Sequence, residues 1–110
     1  MAGRIARGDI RLYTFHAPDK KRPVVILTRN SALSYLSTAS VAPVTSAMRG
    51  VPSEVVLTED DGMKAPCAVN LHNVITVSQD HLCKRVAQLS GPRMEELCAA
   101  IRFSLGCDLG

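Results

Sequence analysis

The chain has 110 residues, of which 46% are hydrophobic and 21% are charged, and its formal net charge is +3. These values predict one globular domain spanning residues 1–110, and they argue against a disordered chain. The mild positive charge permits a polyanionic partner. No apolar run reaches membrane-spanning length, and residues 1–8 lack the apolar core of a signal peptide. We therefore expect a cytoplasmic protein with no membrane association.

The four cysteines indicate neither disulfides nor a metal site. Cys67, Cys83, Cys98 and Cys107 form no C-x-x-C pair, and no H-x-x-x-H spacing accompanies them. A reducing cytoplasm keeps thiols free, so we expect most of them to be small core residues, with Cys107 accessible. Neither a metal nor another cofactor is expected.

Two β-strands are predicted near the N-terminus, at residues 10–15 and 22–28. The first alternates imperfectly between apolar and polar residues, which is typical of a half-buried strand. The second contains the apolar run 24–27, which has two valines and an isoleucine and favours a strand covered on both faces. The polar loop 16–21 joins them, so we predict a hairpin.

Arg22 lies where the chain enters this second strand, directly before Pro23. Proline lacks a backbone donor and belongs at the start of a strand. A guanidinium cannot be buried at low cost without an anionic partner. Either a carboxylate of the protein pairs with Arg22, or Arg22 binds an anion of a ligand, such as phosphate.

The middle of the chain predicts more short elements. Asn30 or Ser31 is expected to cap one or two helical turns through residues 32–36. Pro43 confines part of a third strand to an edge or a bulge. The acidic turn 59–62 lacks the calcium-loop pattern and indicates a solvated turn. Further strands are predicted at residues 40–48, 53–58, 66–70, 72–77 and 83–89, a spacing that favours a small, strongly curved β-barrel.

The C-terminus predicts a helix. Ser90 is a suitable N-cap, Pro92 lies in the first turn, and Gly106 ends the helix. One apolar face is predicted from Met94, Leu97, Cys98, Ile101 and Leu105. The fold class is therefore mainly β (α+β), a small β-barrel closed or flanked by a C-terminal α-helix.

Five segments in order resemble the MazF/PemK family of toxin endoribonucleases. Residues 7–10, 22–27 and 41–46 resemble its first three strands, residues 73–77 its Gln-Ile-Arg-Thr-Ile segment, and residues 89–106 its terminal helix. The resemblance covers nearly the whole chain. It implies an SH3-like barrel (CcdB/PemK-like) that forms a homodimer and cleaves single-stranded RNA at short sequences without a metal. It also implies inhibition of translation and growth, and a cognate antitoxin that occupies the RNA groove.

By this resemblance, the family's catalytic arginine falls on Arg22 and its catalytic threonine or serine on Thr45. Attack of a ribose 2′-hydroxyl on the adjacent phosphate builds negative charge on the non-bridging oxygens. A guanidinium binds two such oxygens. The Thr45 hydroxyl donates to the same oxygen or orients the 2′-hydroxyl. Further RNA-binding candidates are His16, Lys20, Lys21, Ser46, Arg49, His72 and Asn73, with Lys84 as another phosphate contact.

The chain departs from the family at two places that concern proton transfer. The loop before Arg22 lacks a glutamate that some members carry, and Asn73 replaces a glutamine. Arginine retains its proton at ordinary pH and is a poor base. Either His16 or His72 serves as the general base, or both only contact RNA.

Two alternatives place a different function on a similar barrel. A gyrase-poison toxin of this fold depends on a tryptophan near its C-terminus, and this chain has none. An SH3-like adaptor needs an aromatic groove for proline-rich peptides. Two tyrosines and two phenylalanines are too few for that groove. An inactivated toxin homologue is a further alternative, although Arg22 and Thr45 are both present.

Overall fold

An antiparallel sheet and a C-terminal helix make up the fold. The computed structural model describes residues 4–15 and 21–107. The strands pair in the order β4-β5-β3-β2-β1-β7, and β6 pairs with β3. This confirms the predicted mainly β fold with a terminal helix. The elements are β1 (Asp9–Thr14), β2 (Lys21–Ile26), α1 (Asn30–Leu33), β3 (Thr38–Thr45), β4 (Glu54–Leu57), β5 (Cys67–Asn70), β6 (Ile75–Ser78), β7 (Leu82–Gln88) and α2 (Gly91–Leu105).

Strand alternation divides the apolar residues between two clusters, because successive side chains of a strand point to opposite faces. Val25 and Ala42 pack with Leu97 of α2 in one cluster. Val24 and Val41 belong to the other, which also contains Leu33, Val77 and Leu82. β2 is therefore covered on both faces, as its apolar run predicts. The antiparallel pairing of β1 with β2 confirms the predicted hairpin partners.

Pro43 lies in an interior strand, but one side of β3 has no paired residue at this position, which agrees with the predicted local edge or bulge. β3 pairs with β2 on one side, and on its other side with β6 and then β5. The N–H of Leu27 donates to the carbonyl of Ser40, so the nitrogen of Pro43 faces away from β2. There β6 pairing ends at Val41 and β5 pairing begins at Val44. The missing N–H falls in this gap and interrupts no ladder.

Several strand boundaries differ from the predictions. β2 ends at Ile26 and β3 ends at Thr45, so residues 27–28 and 46–48 lie outside the strands. β6 begins only at Ile75, because residues 71–73 form the turn that follows β5.

The capping prediction for α1 is also wrong. Its N-cap is Arg29, and no side chain caps the helix. The side chain of Asn30 is engaged elsewhere, because its Oδ1 accepts the N–H of Arg7 at 2.8 Å. α1 is thus held by a contact to the segment before β1.

α2 has the predicted ends but a shorter buried face. The hydroxyl of Ser90 accepts the N–H of Arg93, and Gly106 adopts a left-handed conformation with φ of 74°. Met94, Leu97 and Ala100 are buried, whereas Leu105 is 71% exposed. The last turn extends beyond the core, so the prediction fails for Leu105. In the described part of the chain, no helix has the length and apolar character needed to cross a membrane.

A buried ion pair within β1 is hydrogen-bonded to β7. Asp9 is only 1% exposed, and its Oδ2 accepts from the Arg11 guanidinium at 3.2 and 3.3 Å. Its Oδ1 accepts from Gln88 at 3.0 Å. Arg11 also donates to the carbonyl of Cys83 at 3.1 Å. Because both charges have partners on neighbouring segments, this network fixes the position of β7 beside β1.

Candidate functional site

A pocket of about 840 Å³ opens where β2 begins and β3 ends. One wall is the middle of β7, residues 84–86, and another is residues 62–67, which lead from β4 into β5. Leu12, Pro23 and Val44 line the space between these walls. Arg22 and Thr45 lie on the same pocket.

The β2–β3 register explains why Arg22 and Thr45 meet. Val24 pairs with Pro43, and continuing the register by two residues places Arg22 opposite Thr45. The intervening Pro23 has no N–H for a ladder bond, so regular pairing stops at Val24. The two strands separate beyond this point and leave room for the pocket. One proline thus ends the ladder and forms part of the pocket lining.

Arg22 is exposed, and none of the described carboxylates pairs with it. Aspartate and glutamate are both absent from the described lining of the pocket. The two interpretations of Arg22 are an ion pair within the protein and binding of a ligand anion. Within residues 4–15 and 21–107, no carboxylate is in place for the ion pair.

Thr45 is half-buried at the end of β3. Its Oγ1 accepts the N–H of Ala47 at 3.0 Å, which fixes the position of the oxygen. Since the oxygen acts here as an acceptor, the hydroxyl proton is left to donate to a ligand. Ser46 follows directly and also lines the pocket.

Further cations surround the pocket. Lys21 and Lys84 line it, as does Lys64 in the wall formed by residues 62–67. Arg85 also lines it, although its guanidinium lies 4.0 Å from the buried Asp9. Sequence reasoning missed Lys64 and Arg85. Arg85 follows Lys84 in a basic pair, but no local pattern brings Lys64 to this site.

Three RNA-binding candidates do not line this pocket: Arg49, His72 and Asn73. The backbone N–H of Arg49 donates to Glu54 at 2.9 Å. The Nδ1 of His72 lies 2.6 Å from the Oγ of Ser53. No described histidine lines the pocket, so His72 is not in place to act as a base beside Arg22. The candidates His16 and Lys20 lie outside the described residues.

The wall formed by residues 62–67 is anchored by the acidic turn before it. The carboxylate of Asp61 accepts two bonds from the Arg93 guanidinium at 3.0 and 3.1 Å, and one from the N–H of Thr58 at 2.9 Å. Burial alone would raise the pKa of Asp61, but these hydrogen bonds and the charge of Arg93 lower it. The prediction of a fully solvated turn is wrong for Asp61, because a distant arginine on α2 pairs with it.

Gly62 brings this turn into contact with β7. It has φ of +89°, and a Cβ added there would lie only 2.9 Å from the Cβ of Ala87. A side chain at this position would therefore push the two walls apart, so glycine permits their close approach.

The four cysteines are free thiols, as predicted. Cys67 is buried beside the pocket, and burial, followed by the negative charge of Asp61, raises the pKa of its thiol. Cys107 is exposed. Within residues 4–15 and 21–107, no group of three or more histidine, cysteine or acidic side chains is arranged to hold a metal ion.

Comparisons with known proteins agree with this architecture. Residues 6–105 match the model of a family described as PemK-like, MazF-like toxin of type II toxin–antitoxin system. The chain is 41% identical over 103 residues to the probable endoribonuclease MazF5 of Mycobacterium tuberculosis, covering 93% of this chain and 94% of that protein. It is 34% identical over 90 residues to the endoribonuclease MazF3 of the same species, covering 82% and 87%.

Solved structures share the fold. The Mycobacterium tuberculosis toxin MazF-mt6 superposes with a TM-score of 0.83 at 29% identity, covering 91% of this chain and 98% of that chain. A mycobacterial endoribonuclease in complex with its cognate antitoxin also has a TM-score of 0.83, at 19% identity, covering 94% and 96%. At that lower identity, the likeness concerns the fold alone.

Proposed function

The chain belongs to the PemK-like, MazF-like toxins of type II toxin–antitoxin systems, and from this premise we propose that it is a sequence-specific endoribonuclease that cleaves single-stranded RNA. The relatives named endoribonucleases support this activity. Cleavage of cellular RNA would inhibit translation and growth.

The observation that carries the proposal is the position of Arg22 and Thr45 at the ends of adjacent strands, on one basic pocket. Three lysines and Arg85 contribute further positive charge, and no described carboxylate lines the pocket. A phosphodiester is an anion that a guanidinium binds through two oxygens. The site therefore suits the phosphate of an RNA strand.

Arg22 and Thr45 act together on that phosphate. Arg22 binds the non-bridging oxygens and stabilises the charge that develops when the 2′-hydroxyl attacks phosphorus. The oxygen of the Thr45 hydroxyl accepts a hydrogen bond from the N–H of Ala47. The hydroxyl itself donates a hydrogen bond to a non-bridging oxygen of the same phosphate. The P–O5′ bond breaks and the leaving oxygen takes up a proton from water, which leaves a 2′,3′-cyclic phosphate on the 5′ product and a 5′-hydroxyl on the 3′ product. His16 is the histidine candidate for the base, since His72 does not line the pocket.

The partners follow from the same premise. We propose that a cognate antitoxin protein neutralises the toxin by occupying the RNA site. The match to a family of type II toxin–antitoxin toxins supports such a partner, and a mycobacterial endoribonuclease of the same fold is in complex with its own cognate antitoxin. We also propose a homodimer, in which two chains extend the surface available to RNA.

The mechanism is tested with a single-stranded RNA that the protein cleaves and a matched strand carrying one 2′-deoxy substitution 5′ to the scissile phosphate. We expect the deoxy substitution to block cleavage, EDTA to leave it unchanged, and the 5′ product to end in a cyclic phosphate. A second strand with the deoxy substitution two nucleotides away is the control and should be cleaved. Cleavage of the first strand, or loss of activity with EDTA, would indicate an activated water and contradict the mechanism.

A further inference from the structure

We propose, on the basis of the function above, that the same pocket binds one unpaired nucleobase next to the phosphate held by Arg22. Met63 and Val86 form the apolar surfaces that contact this base, one on each wall. The pocket then determines which nucleotide is accepted beside the cleavage site.

The apolar side chains of the pocket indicate a base rather than only a phosphate chain. Val86 is 41% exposed although it lies on a β-strand, and it lines the pocket next to the basic residues Lys84 and Arg85. Met63 packs against the core while also lining the pocket. Leu12 and Pro23 continue this apolar surface between the walls. Phosphates make no use of such a surface, whereas the flat face of an unpaired base is buried favourably against it.

The charges suit the two backbone phosphates that flank a bound base. Arg22 lines the pocket at the start of β2, and Lys64 and Lys84 line it on its two other walls, residues 62–67 and 84–86. Arg85 also lines the pocket and adds positive charge to it. The volume of about 840 Å³ falls within the range of roughly 300–1,000 Å³ typical of small-ligand sites. The pocket therefore accepts a nucleotide with its base inserted.

Both walls are held in place before any ligand binds. Asp61 ties the Met63 wall to Arg93 of α2, and Gly62 brings it against β7. The buried pair of Asp9 and Arg11 holds β7 through the carbonyl of Cys83. A preformed pocket discriminates between ligands by shape, because it does not adapt to the wrong one at low cost.

The test uses Val86→Ala, with Val56→Ala as the matched control. Val56 is also a half-exposed strand valine, at 46% exposure, but it does not line the pocket. The substrate is a cleavable single-stranded RNA in which each nucleotide near the scissile phosphate is replaced in turn by an abasic residue. Specificity constants are measured for every combination of protein and RNA.

For the wild-type protein and for Val56→Ala, we expect an abasic residue at one particular position to lower the specificity constant roughly tenfold or more. In Val86→Ala this loss should shrink at the same position and stay unchanged elsewhere. Met63→Ala should shrink it too, with thermal unfolding measured because Met63 also contacts the core.

Equal abasic penalties in Val86→Ala and Val56→Ala would overturn the base-binding proposal. Weaker antitoxin binding by Val86→Ala with unchanged abasic penalties would overturn it as well, and would assign the pocket to a protein side chain. Absence of RNA cleavage by the wild-type protein is a different result, since it would contradict the proposed function itself.

Discussion

At the scale of single residues, the groups around Arg22 indicate its role more clearly than its own exposure does. It is exposed, has no described carboxylate partner and lies among other cations. Neighbouring positive charges would disfavour this arrangement if nothing were bound, since like charges repel. An anionic ligand reverses that penalty. The basic surroundings of Arg22 therefore agree with a phosphate-binding role.

Arg22→Ala should lower RNA cleavage by about 10²–10³-fold, the effect of losing one preorganised charge donor. Arg22→Lys should recover only part of the activity, because an ammonium does not bind two oxygens as a planar fork does. Thr45→Ala should also impair cleavage strongly. Initial rates on one RNA substrate provide the measurement.

Arg29→Ala is the control for these variants, because Arg29 is an exposed arginine that does not line the pocket. It should keep wild-type activity, and all variants should unfold at similar temperatures. A comparable loss in Arg29→Ala, or full activity in Arg22→Ala, would show that Arg22 has no special role.

At the scale of elements, the position of the pocket wall depends on an ion pair between a turn and a helix. The lowered pKa of Asp61 means that its carboxylate is more acidic in the folded chain than in the unfolded chain. The carboxylate therefore stabilises the fold fully when the pH is above the pKa of aspartate in the unfolded chain, about 4. That stabilisation is lost as the pH falls through the lower folded value.

Asp61→Asn should therefore reduce the free energy of unfolding at neutral pH by roughly 1–3 kcal/mol, the range for hydrogen bonds to charged groups. The difference from wild type should shrink as the pH falls below 4, a value close to the ordinary pKa of aspartate. Urea unfolding at several pH values measures both effects.

Asp60→Asn is the matched control, because Asp60 is the exposed neighbouring carboxylate and its side chain forms none of these ion pairs. It should change stability little at any pH. Identical pH dependence of the two variants would mean that the Asp61–Arg93 pair does not stabilise the fold.

At the scale of the whole molecule, several large apolar side chains remain exposed on a single chain. Tyr35 is 77% exposed and Leu105 is 71% exposed. Self-association would remove part of such surface from water. We expect a homodimer near twice 11.8 kDa in sedimentation equilibrium at micromolar concentration. A stable monomer under these conditions would contradict the prediction.

The sequence by itself determined the local elements. β-branched runs identify strands such as β2, and Ser90 and Gly106 mark the ends of α2. These signals depend on residues a few positions apart, so they are readable without the fold. Arg22 and Thr45 were identified as candidates by the family resemblance of the segments around them.

Only the tertiary structure decided the composition of the site. Lys64 and Arg85 reach the pocket from distant segments, and Asp61 pairs with Arg93 on α2. The periodicity of α2 predicted that Leu105 would lie on the buried face, but Leu105 is exposed. Helix periodicity does not show where the core ends. Strand register and the close packing of Gly62 on Ala87 bring these groups together. Such contacts join residues far apart in the chain, and no local pattern encodes them.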